Sequence, residues 1–178
     1  MEEIEEIKTY YNAIYRSYNK LYGGEQKEKI KKIYKIYKKL FSDKKFERGL
    51  DFGCGTGIST FLLKKIAKEI YLYDISEKMI EKALKLHKDA IRIYKIENYK
   101  DYFDIIISIT VLQDISNPYN ELKLLKNLLK DNGLLIVSVL NKRGYNYWND
   151  LFRQNFNIIF SEDIGKDFVF FIKKHYML

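Results

Sequence analysis

Three features of this chain of 178 residues point to a single doubly wound α/β domain with a mostly parallel sheet and a C-terminal antiparallel hairpin. From residue 48 onward, short apolar runs alternate with amphipathic stretches, the pattern of strands covered by helices on both faces. A glycine-rich segment, Gly53-Cys54-Gly55-Thr56-Gly57, falls between the first such run and the first such stretch, where a parallel sheet carries its ligand loop. A length of 178 residues with 47% hydrophobic content supplies one core of ordinary size and leaves little room for a second folded unit. Residues 1–178 are therefore expected to form one domain, a helical cap over 1–45 and an α/β core over 46–178.

The first forty-odd residues read as helices. Tyr11, Tyr15, Tyr18 and Tyr22 are spaced to share one face, and Gly23-Gly24 follows as a break. In the next helix Ile30, Ile33, Tyr34, Tyr37, Leu40 and Phe41 recur every three or four residues, while Lys31, Lys35 and Lys38 take the opposite stripe. Strands are expected at residues 48–52, 69–73, 90–94, 103–109 and 133–140, with helices at 59–67, 77–86 and 118–130. Pro118 suits a first helical position, and Asn132-Gly133 a helix stop before the fifth strand. Beyond Asn141 a short helix carries Trp148, Leu151 and Phe152; two runs, 156–160 and 167–173, then read as a hairpin.

Lysine and arginine number 32 against 24 acidic residues, a net +8 that admits an anionic partner without requiring one. A single cysteine, Cys54, excludes an intrachain disulfide and a cysteine-rich zinc site, and no metal centre is expected. Met1-Glu2-Glu3 does not open a signal peptide, and the apolar runs near 105–112 and 134–140 are far shorter than the roughly 20 residues of a membrane span. The cytoplasm is the expected compartment. Abundant Ile, Lys, Glu and Tyr suit a thermophile or an AT-rich genome alike.

Glycines at a strand end let backbone N–H groups approach a ligand. A dinucleotide fingerprint, G-x-G-x-x-G, would require glycine where Ile58 stands, and a Walker loop would require a lysine that the register lacks. What remains, Leu50-Asp51-Phe52-Gly53-Cys54-Gly55-Thr56-Gly57, resembles the first motif of class I S-adenosylmethionine-dependent methyltransferases, an acidic residue followed by G-x-G-x-G. Tyr71-Leu72-Tyr73-Asp74-Ile75-Ser76 is similar to the end of that family's second strand, where an acidic side chain binds the cofactor's ribose. Two adjacent hydroxyls can donate to the two oxygens of a carboxylate, a geometry that neither an amide nor a hydroxyl reproduces. The segment Tyr11-Asn12-Ala13-Ile14-Tyr15-Arg16-Ser17-Tyr18-Asn19 is similar to the tyrosine-rich helix of small type-11 methyltransferases, with Tyr15 in place of alanine and Asn19 in place of aspartate. The likeness spans residues 11–141 and is specific for the cofactor, not for the acceptor.

The resemblance implies a Rossmann-like domain, S-adenosylmethionine as cofactor, S-adenosylhomocysteine as product and a transferase of the EC 2.1.1 class. It implies N-terminal helices folded as a lid, with Tyr11 and Tyr18 against the cofactor. Asp51, Gly53, Cys54, Gly55 and Gly57 become the cofactor loop, Asp74 the ribose ligand, and Ile75 and Met79 the residues flanking the adenine. In the third region the family prefers aspartate where Lys95 stands, so adenine recognition passes to Ile96, Glu97 or backbone. Thr110 lies in Ser108-Ile109-Thr110-Val111-Leu112-Gln113-Asp114, which resembles the segment running beneath the methionine part and facing the acceptor. Many relatives carry histidine near Gln113 and Asp114, and this chain has none there. Methyl transfer is mainly a matter of alignment, worth roughly 7–11 kcal/mol of the barrier. Where the acceptor must lose a proton, Asp114 or Tyr15, with Tyr11 and Tyr18 as further candidates, is placed to accept it.

Plainer roles stand beside these. Asp51 can order the glycine turn by accepting N–H bonds, Met79 can fill the core, and the tyrosine stripe can be ordinary helix packing. The lysine-rich stretch 27–45 reads first as a solvated face. His87, in a helix, and His175, near the C-terminus, read as satisfied surface histidines, and Cys54 as a small side chain rather than a nucleophile. Asn117-Pro118-Tyr119 lacks the second proline of the N-P-P-Y motif and reads as a helix start. A small-molecule acceptor is expected because Tyr145, Tyr147 and Trp148 offer an aromatic wall and no recognition domain is appended. The alternatives are an RNA or protein acceptor, served by the positive charge and a partner subunit, and a cofactor-binding protein without turnover.

Overall fold

The computed structural model describes residues 2–174, which form two compact units, one ending at Tyr94 and the other starting at Lys95. His175 lies outside the described residues. The fold is Rossmann-like α/β, with six α-helices and seven strands in mixed pairing among the described residues.

The first unit opens with helices α1 (Glu2–Ile14) and α2 (Tyr18–Phe41). Strand β1 (Phe46–Phe52) follows, then α3 (Thr60–Ile66), β2 (Ala67–Tyr73), α4 (Glu77–Leu86) and β3 (Ile91–Arg92). β2 pairs in parallel with β1 on one side, Leu50 opposite Tyr71, and with β3 on the other, Tyr71 opposite Ile91. α3 and α4 are the crossovers that parallel neighbours require. Leu50, Leu62, Leu63, Ile70, Leu72 and Ile80 are buried, so apolar faces of strands and crossover helices meet in one core. The third strand is two residues long rather than the five expected; the Ile93 N–H still donates to the Leu72 carbonyl at 2.9 Å, and Tyr94 beyond it is 77% exposed.

The tyrosines do not lie on one helix, since Tyr11 is on α1, Tyr18 and Tyr22 are on α2 and Tyr15 falls between them. Yet the rings of Tyr11, Tyr18 and Tyr22 follow one another at 6.2 and 5.2 Å between centroids. Gly23-Gly24 does not break the helix. α2 runs through both glycines, and the interruption falls at residues 15–17. There the Ser17 hydroxyl and the Ser17 N–H both donate to the Ile14 carbonyl, at 3.1 and 3.0 Å, and close a turn that ends α1. Glycine costs roughly 1 kcal/mol against alanine in a helix. That cost is outweighed by an apolar stripe in which Ile30, Ile33, Ile36 and Tyr37 are all buried. The Tyr37 hydroxyl donates to the Lys44 carbonyl at 2.6 Å and ties the helix to the turn that leads into β1. Lys31 and Lys35 are exposed on the opposite side, and Lys38 pairs with Asp43.

In the second unit, β4 (Phe103–Ile109), α5 (Tyr119–Leu128) and β5 (Leu129–Leu140) form a further parallel crossover. Helix α6 (Tyr145–Arg153) then leads to β6 (Phe156–Asp163) and β7 (Asp167–Lys174). β7 pairs antiparallel with both β5 and β6, so the expected hairpin is present and its second strand lies inside the first. The start of α5 just after Pro118, with Asn117 Oδ1 accepting the Tyr119 N–H at 3.3 Å, bears out a helix start there.

Asn132-Gly133 is not a helix stop. α5 ends at Leu128, and β5 already begins at Leu129, opposite Phe103. The register then slips so that Ile105 faces Leu134, and Gly133 sits in the resulting bulge. A Cβ on Gly133 would lie 2.6 Å from Leu129 Cδ1 and 2.9 Å from the Lys130 carbonyl. Close approach of the chain to itself, not helix termination, is what demands glycine there.

Candidate cofactor site

Within the first unit, the loop after β1 is built by backbone geometry. Gly53, Gly55 and Gly57 have φ of +75, +51 and +88°, the left-handed region that glycine enters without steric cost. The Gly53 and Cys54 N–H groups both donate to the Tyr73 carbonyl at the end of β2, at 2.8 and 3.1 Å, and the Gly57 N–H donates to the Cys54 carbonyl at 2.9 Å. The loop is thus folded back on itself and pinned to the next strand.

Asp74, the first residue past β2, faces this turn. Its Oδ2 accepts the Gly55 N–H at 2.7 Å and its Oδ1 accepts the Ser76 N–H at 2.8 Å. Burial pushes its carboxyl up to about 6, against the opposing pull of those two donors. Each carboxylate oxygen has two acceptor sites, so both retain capacity for a further donor.

Asp51 lies behind the loop and is fully buried. It does not order the glycine turn through N–H bonds. Its Oδ2 accepts the hydroxyls of Ser59 and Thr60, each at 2.7 Å, and thereby ties β1 to the start of α3. Its Oδ1 is buried without a partner, and burial raises the carboxyl to about 7. The Cys54 thiol is also buried and is pushed well above its ordinary range by desolvation, with Asp74 and Asp51 adding to the effect. It is no thiolate nucleophile.

The N-terminal helices of the same unit reach both loops. The Asn19 Oδ1 accepts the Thr56 hydroxyl at 2.5 Å, and the Asn12 Oδ1 accepts the Ser76 hydroxyl at 2.7 Å and the Lys78 N–H at 3.3 Å. Lys82 donates to the Tyr15 carbonyl at 3.1 Å. Tyr11 and Tyr18 are half-buried with ring centroids 6.2 Å apart, and Tyr15 Oη accepts from Arg16 Nε at 2.9 Å, a bond that lowers the phenol below its usual range. Asn12 and Asn19 are the polar contacts that sequence reasoning missed. Only their place in the tyrosine-rich segment pointed to them.

Ile75 is half-buried, while Met79 is buried on α4 with its N–H donating to the Ser76 hydroxyl at 3.2 Å. His87 is not a surface residue. It caps α4, is 1% exposed, and its Nε2 stands 2.7 Å from the Gly57 carbonyl.

In the second unit, Thr110 follows β4 with φ of +59°, a conformation β-branched residues rarely adopt. Its N–H donates to the Ser138 carbonyl at 2.9 Å, its hydroxyl donates to Asp167 Oδ2 at 3.2 Å, and its carbonyl accepts from Gln113 Nε2 at 2.9 Å. Arg143, which the sequence did not single out, donates to the carbonyls of Ile115, Ser116 and Gln113 at 2.7, 3.1 and 3.4 Å, and so fixes the turn that carries Asp114. Asp114 and Glu97 are exposed, each on a short 3-10 turn. The aromatic wall loses one member, because Trp148 is fully buried against Phe152 at 5.9 Å between ring centroids, while Tyr145 and Tyr147 remain exposed. The amphipathic spacing of α6 turns the indole inward.

A turn of left-handed glycines at the end of one parallel strand, held by a carboxylate at the end of the next, defines a nucleotide-cofactor-binding class of α/β protein. Comparison with known proteins narrows that class: residues 24–164 match the family described as a methyltransferase domain, and the chain belongs to it. It is 33% identical over 131 residues to the ubiquinone biosynthesis O-methyltransferase of Pelagibacter ubique, covering 68% of this chain and 53% of that protein. It is 28% identical over 129 residues to the protein-L-isoaspartate O-methyltransferase of Dictyoglomus turgidum, covering 67% and 54%. The chain spans about half the length of these curated relatives. The fold is similar to that of magnesium protoporphyrin IX methyltransferase from Synechocystis with bound S-adenosylmethionine, with a TM-score of 0.74, 17% identity and 98% of each chain covered. It is also similar to an N-methyltransferase from Bradyrhizobium japonicum in complex with S-adenosylhomocysteine, with a TM-score of 0.68, 15% identity and 83% and 86% covered.

Proposed function

We propose that the protein is an S-adenosylmethionine-dependent methyltransferase acting on a small-molecule acceptor. The observation that carries this reading is Asp74, held by the Gly55 and Ser76 N–H groups beside a glycine turn and free to accept two more donors. Vicinal ribose hydroxyls are such donors. The buried, unpartnered Asp51 Oδ1 at the same loop is a second acceptor awaiting a donor. When bound, S-adenosylmethionine supplies an electrophilic methyl group on a positively charged sulfur.

Gly53, Cys54, Gly55 and Gly57 shape the loop, Ile75 and Met79 offer apolar flanks for the adenine, and Tyr11 and Tyr18 offer aromatic faces from the N-terminal lid. Glu97 and Thr110 are assigned to the cofactor by the family likeness. Asp114, exposed and on an anchored turn, is the candidate proton acceptor, with Tyr15 the other. The ubiquinone-pathway relatives support a small acceptor. The lone cysteine, buried as a thiol, suits the cytoplasm; no described helix is long and apolar enough to cross a membrane.

Incubation of the purified protein with radiolabelled S-adenosylmethionine and a cofactor-depleted cell extract tests this reading, and label is expected in the low-mass fraction. Label in nuclease- or protease-sensitive material would overturn the small-molecule assignment. No label above a Gly55→Arg control, with cofactor binding intact, would favour a protein that binds without turnover.

One feature favours RNA as a second reading. α2 carries eight lysines against two glutamates, and Lys27, Lys31, Lys35 and Lys39 are exposed along it. An RNA acceptor predicts binding that weakens with salt at a log–log slope near −0.7 per phosphate contact, and a small neutral acceptor predicts almost none.

A further inference from the structure

His87 reads from the sequence as a surface histidine, yet its ring packs against the last turn of the glycine loop. It reaches the loop across 30 residues of chain, its Nε2 lies 2.7 Å from the Gly57 carbonyl, and Phe61 meets it edge-on at 4.7 Å between centroids. A carbonyl can only accept, so Nε2 carries the proton and donates. Burial holds the imidazole below its usual range and so favours the neutral form. The charged groups around it, Lys64 and Asp89, pair with each other at 2.5 Å.

The contact also accounts for the third glycine. A Cβ on Gly57 would stand 2.9 Å from His87 Cδ2 and 3.1 Å from Ala83 Cβ, closer than the ring and helix α4 allow. Gly57 is therefore required twice, by its φ of +88° and by the imidazole lying against it. The consequence falls on the next peptide unit. In a planar trans peptide the C=O and the following N–H point in opposite directions. With the Gly57 carbonyl held toward His87, the Ile58 N–H is turned the other way, and it has no hydrogen-bond acceptor among the described residues. A donor left unpaired is held ready for an acceptor atom on a ligand.

We propose that His87 is a positioning residue for the cofactor: its Nε2–H fixes the Gly57–Ile58 peptide plane so that the Ile58 N–H is presented to the bound molecule. The inference rests on the cofactor reading given above. It concerns ground-state geometry only and needs no proton transfer.

Calorimetric titration of S-adenosylhomocysteine into the wild type, His87→Phe and His87→Gln tests it. The phenyl ring fills the space without a donor, whereas glutamine restores an N–H near the Nε2 position. The expected result is binding weaker by about tenfold for His87→Phe, the worth of one buried hydrogen bond, and largely restored for His87→Gln. Equal affinity for wild type and His87→Phe would overturn the proposal, and so would equal losses in both variants, which a merely structural role predicts. Amide exchange across residues 53–58 without ligand gives a second readout. Faster exchange in His87→Phe than in His87→Gln supports positioning of the loop, and unchanged exchange overturns it. A wild type that binds no S-adenosylhomocysteine would sink the cofactor reading, and the exchange comparison would still decide whether His87 sets the loop. Should His87→Phe fail to fold, Gly57→Ala placed in wild-type and His87→Ala backgrounds measures the same contact. A smaller destabilisation in the His87→Ala background supports it, and equal costs refute it.

Discussion

The turns that follow β1 and β4 meet one backbone requirement in different ways. After β1 the chain enters the left-handed region at Gly53, Gly55 and Gly57, where the absence of a Cβ makes that conformation inexpensive. After β4 it enters the same region at Thr110, where a β-branched side chain makes it costly, and Ser138, Asp167 and Gln113 bond the threonine in place. The first turn is permitted by composition, the second is held by tertiary contacts. A glycine turn is written in the sequence; a locked threonine turn is visible only once residues 138 and 167 are brought beside residue 110.

The strongest challenge to this contrast is Gly57→Ala. A left-handed alanine costs roughly 1–2 kcal/mol and overpacking against His87 a further 1–3 kcal/mol, so urea unfolding is expected to show a loss of about 2–5 kcal/mol. A loss below 1 kcal/mol would mean that the turn is not glycine-dependent. Asp74→Ala should leave the fold intact and weaken binding of S-adenosylmethionine by about 1.5–3 kcal/mol, read by calorimetry, because charge-assisted hydrogen bonds are removed. Unchanged affinity would take Asp74 out of the site. On the other side of the comparison, Asp167→Ala strips the Thr110 hydroxyl of a buried acceptor and should cost about 1–3 kcal/mol in the same unfolding assay.

Thr110→Gly carries the smallest expected change among the substitutions. Relief of left-handed strain, roughly 1–2 kcal/mol, opposes loss of the hydroxyl contacts at about 1 kcal/mol each, so stability should stay within about 1 kcal/mol of wild type. A large loss would show that the side-chain locks outweigh the strain they restrain.

A pH titration sharpens the comparison from the electrostatic side. Burial raises Asp51 to about 7 and Asp74 to about 6, above the value of an unfolded carboxyl near 4. Between those values the folded chain holds protons that the unfolded chain has released, so the contribution of both groups to stability falls as pH rises from about 4 to 7. Asp51→Asn, which keeps an oxygen for Ser59 and Thr60 but cannot ionise, should flatten the upper part of that slope, measured as the unfolding midpoint against pH. A slope unaltered by the substitution would show that Asp51 does not titrate there.

Much of the architecture could be read from periodicity. β4 and α4 fall at the residues expected, because Phe103–Ile109 is a continuous apolar run and Glu77–Leu86 a clean amphipathic one with Ser76 as its cap. Boundaries failed where packing overrode local preference. α2 continues through Gly23-Gly24 because the stripe from Ile30 to Tyr37 is buried, and β5 begins before Gly133 because a bulge absorbs the slip. In the candidate site, the glycine loop and Asp74 were legible by spacing, whereas Asn12, Asn19, Arg143 and Asp167 were not. Each of these acts on atoms far away in sequence, and no local pattern encodes the partner.

The alternation of strands and helices, the glycine turn and an acidic residue at the end of the second strand follow from residue order alone, since each is a short-range pattern tied to backbone geometry. The burial of His87 against Gly57, the pairing of Asp51 with hydroxyls instead of loop N–H groups and the inward turn of Trp148 arise from long-range packing. Those outcomes depend on which surfaces meet, and burial sets both what a polar group must pair with and how readily it carries charge.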